Sequence, residues 1–362
     1  MTANLDSAMM RRCLELANQA AGKTAPNPLV GCVIVQDGMV VGEGVHPKAG
    51  EPHAEVFALR AAGDRARGAT LYVNLEPCSH YGRTPPCADA VIAAGVKRVV
   101  VGMIDPNPKV AGSGIAKLQK AGIEVTLGVE EAACQELNEA FVHRIEQRQP
   151  FGMLKYAMTL DGKIAARTGH SAWVSSDAAR AEVHKLRAGC DAIIVGGNTV
   201  RQDNPLLTSR RPDRTPLRVV MTRSLELPSN ANLWNTSMAP TLVFTQPDAN
   251  SALQAKLRSL GVEVIEVKPL TPTIVMKHLY DRGCLSVLWE CGGTLAARAI
   301  VEGAVQKVFA FIAPKIIGGA DAPSPIGNLG LTKMTDAYLL ERMRWQMVGP
   351  DLLVQGYLLP KE

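Results

Sequence analysis

Hydrophobic and polar residues follow one another along this chain in two kinds of pattern. Short apolar runs, typical of buried strands, are separated by stretches with an apolar residue at every third or fourth position, typical of amphipathic helices. Over the first 150 residues the pattern predicts strands at 29–35, 39–41, 69–75, 97–103 and 123–127, and helices at 8–21, 53–63, 86–94, 113–121 and 130–146. Strands that alternate with helices predict a layered α/β architecture.

The first two strands differ from the later ones because a tight turn joins them. Asp37-Gly38 is a strong hairpin signal, so strands 29–35 and 39–41 are expected to be antiparallel. Ser7 is placed to cap the first helix. The later strands are separated by helices, which predicts a parallel portion of sheet covered on both faces. We therefore expect an α/β/α domain over residues 1–149.

A second α/β pattern begins after the polar segment 146–150, which ends in proline and is typical of a domain boundary. It predicts a turn at Asn198-Thr199, strands at 152–158, 191–196, 217–222, 241–245, 262–267, 285–289, 305–312, 340–348 and 352–358, and helices at 177–188, 251–260, 273–282 and 294–302. The 362 residues are thus expected to form two domains, 1–149 and 150–362.

Three residues of the first half have the side chains and the setting of a zinc site. His53 opens a predicted helix, Cys78 follows a predicted strand, and Cys87 starts another predicted helix. One imidazole and two thiolates supply three of the four ligands that tetrahedral Zn²⁺ prefers, and catalytic sites leave the fourth position to water. A helix N-terminus also stabilises the thiolate, which is the form that binds metal.

Glu55 lies two residues after His53 and is not needed as a ligand. It can stand beside the metal as a proton carrier, which is the arrangement of zinc-dependent base deaminases. The alternatives are a set of unrelated cysteines or a closed structural zinc site, for which His80 is the nearest fourth ligand. A structural site would leave Glu55 without a role.

The segment 77–87, together with residues 26–35 upstream, resembles the bifunctional deaminase and reductase family of riboflavin biosynthesis. Nucleic-acid deaminases typically space their cysteines as C-x-x-C. Eight residues separate Cys78 from Cys87 in this chain. That spacing counts against a tRNA or DNA editing enzyme and favours the riboflavin family, whose loop has the longer form.

Motifs of the second half extend the resemblance over nearly the whole chain. The pair Gly292-Gly293 lies between a predicted strand and a predicted helix, where backbone amides can hold phosphate. With the segments 155–162, 203–207 and 312–315, it resembles the reductase half of the same family, which is similar in fold to dihydrofolate reductase. No G-x-G-x-x-G segment follows a strand, so a Rossmann domain is not expected.

The resemblance implies a cytidine-deaminase-like α/β/α fold for the first domain and a complete set of deaminase residues. Glu55 is catalytic, and His53, Cys78 and Cys87 bind Zn²⁺, which lowers the pKa of a bound water from ~15.7 toward ~7. A phosphoribosylamino-diaminopyrimidine would release ammonia here. The positions that match the family's substrate contacts are Asn27, His46, His80, Arg83, Asp105 and Asn107. Without the resemblance, Asn27 is a turn residue and His46 a surface histidine.

The resemblance also implies that NADPH reduces the ribose of the deaminated product to ribityl in the second domain. The implied NADPH contacts are Ala157, Trp173, Thr199, Asp203, Gly292, Gly293, Thr294, Leu295, Ala296, Ala297 and Arg298. The implied substrate contacts are Ser171, Arg187, Leu207, Arg210 and Glu290. Arginine forks suit a sugar phosphate. Without the resemblance, Arg187 and Arg210 are solvated charges, and Trp173 is a core residue.

Composition and charge narrow the range of partners. The net charge is +5, the pI is about 8.7, and the lysines and arginines are dispersed, which suits phosphorylated small molecules better than a nucleic-acid groove. Aromatic residues make up only 4% of the chain, which argues against an RNA-binding surface. The open alternatives are a tRNA or nucleoside deaminase with an accessory domain and a zinc-stabilised scaffold without activity.

The remaining features concern the compartment. The eight cysteines show no evenly spaced framework, so disulfide bonds are not expected. No apolar stretch reaches the length of a transmembrane helix, and the N-terminus lacks the apolar core of a signal peptide. We expect a cytoplasmic homo-oligomer that binds neither nucleic acid nor membrane.

Overall fold

The computed structural model describes residues 2–81, 85–108, 110–211 and 213–359 of the chain. The protein divides into two compact units, Met1–Arg148 and Gln149–Glu362. The boundary predicted above lies between residues 149 and 150. Among the described residues, no helix combines the length and apolar character that crossing a membrane requires.

The first unit is a five-stranded sheet with helices on both faces. Its strands are β1 (Gly31–Gln36), β2 (Met39–Val45), β3 (Thr70–Leu75), β4 (Arg98–Met103) and β5 (Glu124–Leu127), in the order β2-β1-β3-β4-β5. Its helices are α1 (Thr2–Asn18), α2 (Ala54–Ala62), α3 (Cys87–Ala93), α4 (Ser113–Lys120), α5 (Glu131–Leu137) and α6 (Glu139–Gln147). β1 is antiparallel to β2 and β3, whereas β3, β4 and β5 are parallel. The predicted hairpin and parallel portion are confirmed.

Two helices of this unit differ from the prediction for physical reasons. The first helix begins at Thr2, so Ser7 lies inside it and does not cap it; buried Asp6 anchors the early turns by accepting hydrogen bonds from Arg98 (2.8 and 3.0 Å). The predicted helix 130–146 is broken at Asn138 into α5 and α6. The buried side chain of Asn138 bonds instead to both backbone groups of Leu29 (2.8 and 3.0 Å).

Two glycines of β2 allow helix α2 to lie directly on the sheet. A Cβ at Gly42 would lie 2.3 Å from the carbonyl oxygen of Ala58, and one at Gly44 would lie 2.1 Å from that of Ala54. Real Cβ atoms do not approach backbone so closely, so the two positions require glycine. The helix that follows His53 is therefore held at a fixed height above β1 and β2.

The second unit is a nine-stranded sheet in the order β10-β9-β8-β7-β11-β6-β12-β14-β13. Its strands are β6 (Phe151–Thr159), β7 (Ala192–Gly196), β8 (Leu217–Met221), β9 (Thr241–Thr245), β10 (Glu263–Glu266), β11 (Ser286–Trp289), β12 (Lys307–Ala313), β13 (Leu340–Val348) and β14 (Asp351–Leu358). Its helices are α7 (Asp177–Gly189), α8 (Gly197–Asp203), α9 (Ser251–Ser259), α10 (Pro272–Asp281) and α11 (Gly293–Val301). All neighbours are parallel except β14, which is antiparallel to β12 and β13.

Apolar side chains fill both faces of this sheet, with Trp289 at the centre of one cluster and Trp234 in another. The predicted turn at Asn198-Thr199 is wrong, because both residues lie in the short helix α8. Gly197, the first residue of α8, directly follows β7, and a Cβ there would lie 3.1 Å from Thr222 Oγ1, so the chain turns tightly into the helix. The two α/β sheets confirm the predicted fold class.

The close approach of β2 and α2 gives a testable consequence. Gly44→Val should lower the stability of the first unit by about 1 to 3 kcal/mol, because the added side chain overpacks against helix backbone. Hydrogen exchange followed by mass spectrometry should show faster exchange in peptides from β2 and α2. Tryptophan fluorescence should not change, since all four tryptophans lie in the second unit. Gly189→Ala, whose Cβ would meet no atom within 4 Å, is the control; equal protection in both variants would contradict the prediction.

Candidate functional site

Three elements of the first unit bring His53, Cys78 and Cys87 together. His53 is the residue before α2, Cys78 follows β3, and Cys87 is the first residue of α3. His53 Nδ1 lies 3.2 Å from Cys87 Sγ and 3.6 Å from Cys78 Sγ, and the three ligating atoms lie within 4.8 Å of one another. Among the described residues, this is the group whose His, Cys, Asp and Glu atoms could hold a metal ion.

The two cysteine sulfurs change each other's pKa. A hydrogen bond from the Cys87 thiol lowers the pKa of Cys78 to about 4, against the opposing effect of burial, while the same contact and burial raise the pKa of Cys87. The backbone amide of Cys87 also donates to Cys78 Sγ (3.2 Å). A bound divalent cation stabilises both cysteines as thiolates, so this set of one nitrogen and two sulfur donors fits Zn²⁺.

Glu55 lies beside these ligands but is not one of them. Its side chain is buried, and its Oε2 atom has no hydrogen-bond partner within the part of the chain that the structure describes. Burial raises the pKa of Glu55 to about 7. A buried carboxyl group with a free oxygen and a pKa near neutrality has the properties of a proton carrier.

Asn27 and His46 extend the site from His53, because His46 contacts His53 and Asn27 contacts His46. The His46 ring contacts the His53 ring edge-on, with centroids 5.2 Å apart. His46 Nδ1 lies 3.1 Å from the carbonyl oxygen of Pro52, which cannot donate, so Nδ1 carries the proton and Nε2 accepts from Asn27 Nδ2 (3.0 Å). Burial lowers the pKa of His46 and keeps it neutral. His46 is buried, so the interpretation as a surface histidine is wrong.

The remaining predicted substrate residues of this unit lie in two loops. Asp105 and Asn107 follow β4, and Asp105 Oδ1 accepts a hydrogen bond from the Asn107 amide (2.8 Å). Burial raises the pKa of Asp105, and Cys78 and His80 also act on it electrostatically. His80 is exposed and does not join the ligand group formed by described residues. Arg83 lies outside the described residues.

A large cleft of about 1640 Å³ lies in the second unit, at the carboxyl ends of β6, β7, β8 and β11. Open α/β sheets bind ligands at this edge. The predicted residues that line the cleft are Ala157, Ser171, Trp173, Arg187, Thr199, Asp203, Leu207, Arg210, Glu290, Gly292, Gly293, Thr294, Leu295 and Arg298.

Two predicted cofactor contacts are not brought to the cleft. The side chains of Ala296 and Ala297 are buried in the interior face of α11, and Ala296 belongs to the apolar core around Trp289. The reason is the helical period, which turns these positions of α11 toward the sheet while Thr294, Leu295 and Arg298 line the cleft. The side chains of Ala296 and Ala297 therefore have a packing role.

Arg187 and Glu290 form a buried ion pair at one end of the cleft. Arg187 Nε and Nη2 donate to the two Glu290 oxygens (2.6 and 2.9 Å), and Nη1 donates to the carbonyl of Thr208 (3.1 Å). Burial alone would raise the pKa of Glu290, but Arg187 lowers it overall. Arg187 is thus not the solvated charge of the alternative interpretation.

Sequence reasoning missed several cleft residues. Lys155 lies next to this ion pair, and its position at the start of the segment 155–162 did not indicate a role. Burial lowers the pKa of its ammonium group, while Glu290 opposes the change. Arg180 places its guanidinium 4.5 Å from the ring centre of Trp173, which is 71% exposed and so is not a core residue.

In all, seven Lys and Arg residues and three Asp and Glu residues line the cleft, a balance that favours anionic ligands.

The two glycines at the start of α11 have different surroundings. Gly292 is the residue before the helix, and a Cβ added to it would meet no atom within 4 Å. A Cβ at Gly293 would lie 2.7 Å from the carbonyl oxygen of Ser324. The first amides of a helix have no acceptor inside the helix, and those of α11 border the cleft. Open space beside these amides fits a phosphate group of a dinucleotide.

Comparison with known proteins agrees with this division of the chain. Residues 3–103 match the family model of the cytidine and deoxycytidylate deaminase zinc-binding region, and residues 150–354 match that of the RibD C-terminal domain. The riboflavin biosynthesis protein RibD of Synechocystis sp. is 60% identical over 98% of this chain and 96% of its own length. That of Escherichia coli is 40% identical over 96% and 98%, respectively.

Solved structures give the same result. Acinetobacter baumannii RibD superposes with a TM-score of 0.89 at 37% identity, covering 99% of this chain and all of that one. A diaminohydroxyphosphoribosylaminopyrimidine deaminase and 5-amino-6-(5-phosphoribosylamino)uracil reductase from Thermotoga maritima superposes with a TM-score of 0.87 at 34% identity, with equal coverage.

The ligand geometry predicts how the chain binds metal. The purified protein should contain one zinc ion per chain, measurable by elemental analysis. Cys78→Ser and Cys87→Ser should each lose most of it, because an alcohol does not replace a thiolate ligand. His80→Ala is the control and should keep its zinc. Loss of zinc from His80→Ala would instead indicate a closed structural site.

Proposed function

This chain belongs to the RibD family of riboflavin-biosynthesis proteins, and on that basis we propose that each unit catalyses one of two consecutive reactions. The protein is a zinc-dependent deaminase and an NADPH-dependent reductase. In the first unit, 2,5-diamino-6-(5-phosphoribosylamino)pyrimidin-4-one loses ammonia. In the second unit, the ribose of 5-amino-6-(5-phosphoribosylamino)uracil is reduced to ribityl.

In the deaminase site, His53, Cys78 and Cys87 would hold Zn²⁺, which would supply a water of lowered pKa. Oε2 of Glu55 would take one proton from this water and pass it to the ring nitrogen as the water oxygen adds to the ring carbon that bears the amine. Glu55 would then carry the proton left on that oxygen to the amine, the carbon–nitrogen bond would break, and ammonia would leave. The unpartnered Oε2 atom beside the three ligands is the observation that carries this assignment.

The substrate residues hold the pyrimidine over the ligands. Neutral His46 fixes the amide of Asn27, so Asn27 presents a defined hydrogen-bonding edge to the ring. Asp105 and Asn107 border the site from the other loop, and we assign His80 and Arg83 to the phosphoribosyl group. These contacts orient the ring carbon that bears the amine toward the water.

In the reductase site, bound NADPH would supply the hydride that reduces the ribose. The amides at Gly292 to Leu295 would hold its phosphates at the start of α11. Ala157 of β6 and Thr199 and Asp203 of α8 would contact it from the neighbouring elements. Trp173 and Arg298 border the same site. Lys155, Arg187 and Glu290 form the charged end of the cleft that we assign to the substrate, with Ser171, Leu207 and Arg210 beside it.

One assay tests the whole assignment. The full-length protein should release ammonia from the diaminopyrimidine and oxidise NADPH only after that release has begun. The alternatives of a tRNA or nucleoside deaminase and of an inactive scaffold lose support, because the reductase family model covers residues 150–354. Homo-oligomerisation and a cytoplasmic location stay predictions.

The role of Glu55 gives a sharp prediction. Glu55→Gln keeps the shape of the side chain but cannot carry a proton, so ammonia release should fall by about 10² to 10⁴. Zinc content and reduction of supplied deaminated substrate should match those of the unaltered protein. Normal deamination by Glu55→Gln would remove this residue from the mechanism.

Substitutions at the two glycines where α11 starts distinguish an effect on cofactor binding from an effect on folding. Gly292→Val should leave the melting temperature nearly unchanged, because its Cβ meets no protein atom, but should raise the KM for NADPH at least about tenfold by filling the phosphate position. Gly293→Ala should instead lower the melting temperature, because it meets Ser324. An unchanged NADPH KM in folded Gly292→Val would place the cofactor elsewhere.

A further inference from the structure

A buried carboxylate joins the metal-ligand loop to the loop that follows β4. Glu76 lies two residues before Cys78 and is almost completely buried. Its oxygens accept hydrogen bonds from four backbone amides: Oε1 from Gly114 (2.8 Å) and Ile115 (3.3 Å), and Oε2 from Gly112 (3.0 Å) and Asp105 (3.2 Å). Both ends of the loop 105–112 are therefore tied to one side chain.

Gly114 brings the start of α4 against the same point. A Cβ at Gly114 would lie 2.0 Å from the carbonyl oxygen of Pro77 and 3.1 Å from Glu76 Oε1. The helix thus touches the backbone immediately before Cys78. The hydroxyl groups of Ser79 and Ser113, 2.6 Å apart, add a second contact between the same two segments.

This junction determines where Asp105 and Asn107 lie relative to the metal ligands. The Asp105 amide donates to Glu76, and its carboxylate in turn accepts from the Asn107 amide. A buried carboxylate is costly unless it is hydrogen-bonded. Here two of the four bonds hold the ends of the loop, and the other two hold the start of α4.

We propose that Glu76 is a positioning residue for deamination, which sets the distance between the Cys78 ligand loop and the Asp105–Asn107 substrate loop. Glu76 does not contact the reacting atoms and binds no metal. It acts through the placement of Asp105 and Asn107. The inference rests on the deaminase function proposed above.

Glu76→Gln tests the inference in the full-length protein. An amide can accept through only one oxygen, so its nitrogen would face either the amides of Asp105 and Gly112 at the two ends of the loop or those of Gly114 and Ile115 at the start of α4. Either clash would loosen the junction and displace Asp105 and Asn107. The KM for the diaminopyrimidine should rise about tenfold or more, with a smaller change in kcat, because substrate placement is lost while the proton carrier remains. Zinc content and NADPH-dependent reduction of supplied product should not change.

Two further variants frame the result. Glu124→Gln makes the same charge change at an exposed carboxylate of β5 and should leave the KM unchanged. Glu76→Asp keeps the charge but is one methylene shorter, so it should restore part of the lost affinity. If Glu76→Gln does not fold or loses zinc, Glu76→Asp decides: a raised KM with full zinc supports the inference.

The contrary outcomes are distinct. An unchanged KM in a folded, zinc-loaded Glu76 variant overturns the positioning role, as does an equal loss of deaminase and reductase activities, which indicates general damage. If the unaltered protein releases no ammonia, the proposed function fails first, and the role of Glu76 falls with it.

Discussion

Negative charge buried in a small volume is the constraint on which the first unit depends. Two cysteine sulfurs and the buried carboxyl group of Glu55 lie around the half-buried His53. The contact between the sulfurs lowers the pKa of Cys78 and raises that of Cys87, and burial raises the pKa of Glu55 to about 7. The rest of the unit holds these groups still. Glycines of β2 set the height of α2, and the end of β3 carries Cys78 into the site.

The second unit is also built on an α/β sheet, but its site differs in size and in charge. Its ligands are expected to be large and anionic, so the site is an open cleft along several strand ends, lined by more cations than anions. Within that cleft Arg187 and Glu290 neutralise each other, which leaves a rigid, hydrogen-bonded end rather than a free charge. The opposite requirement holds at Gly292, where open space must be kept.

Local patterns in the sequence predicted most of the elements and the group of side chains that could hold a metal ion. Asp37-Gly38 indicated the hairpin, and the types and spacing of His53, Glu55, Cys78 and Cys87 indicated a candidate zinc site. What escaped prediction depends on contacts between distant segments. The sequence around Asn138 does not show that its side chain will bond to Leu29 and that the helix will end there. Burial of Ala296 and Ala297 depends on which face of α11 packs on the sheet, which the local sequence does not specify. Glu76 follows a strand, and its local sequence does not indicate the hydrogen bond that it accepts from the amide of Gly114, 38 positions later in the chain.

Among the described residues, the candidate metal ligands lie in the first unit and the lining of the cleft lies in the second, yet both units lie on one polypeptide. Translation therefore delivers the two catalysts in a fixed stoichiometry, whatever the level of gene expression. A substitution in one half of the chain can change the turnover of that half's site without changing the amount of the other. Selection on pathway flux should then act on the two halves separately, and their rates of sequence change need not agree.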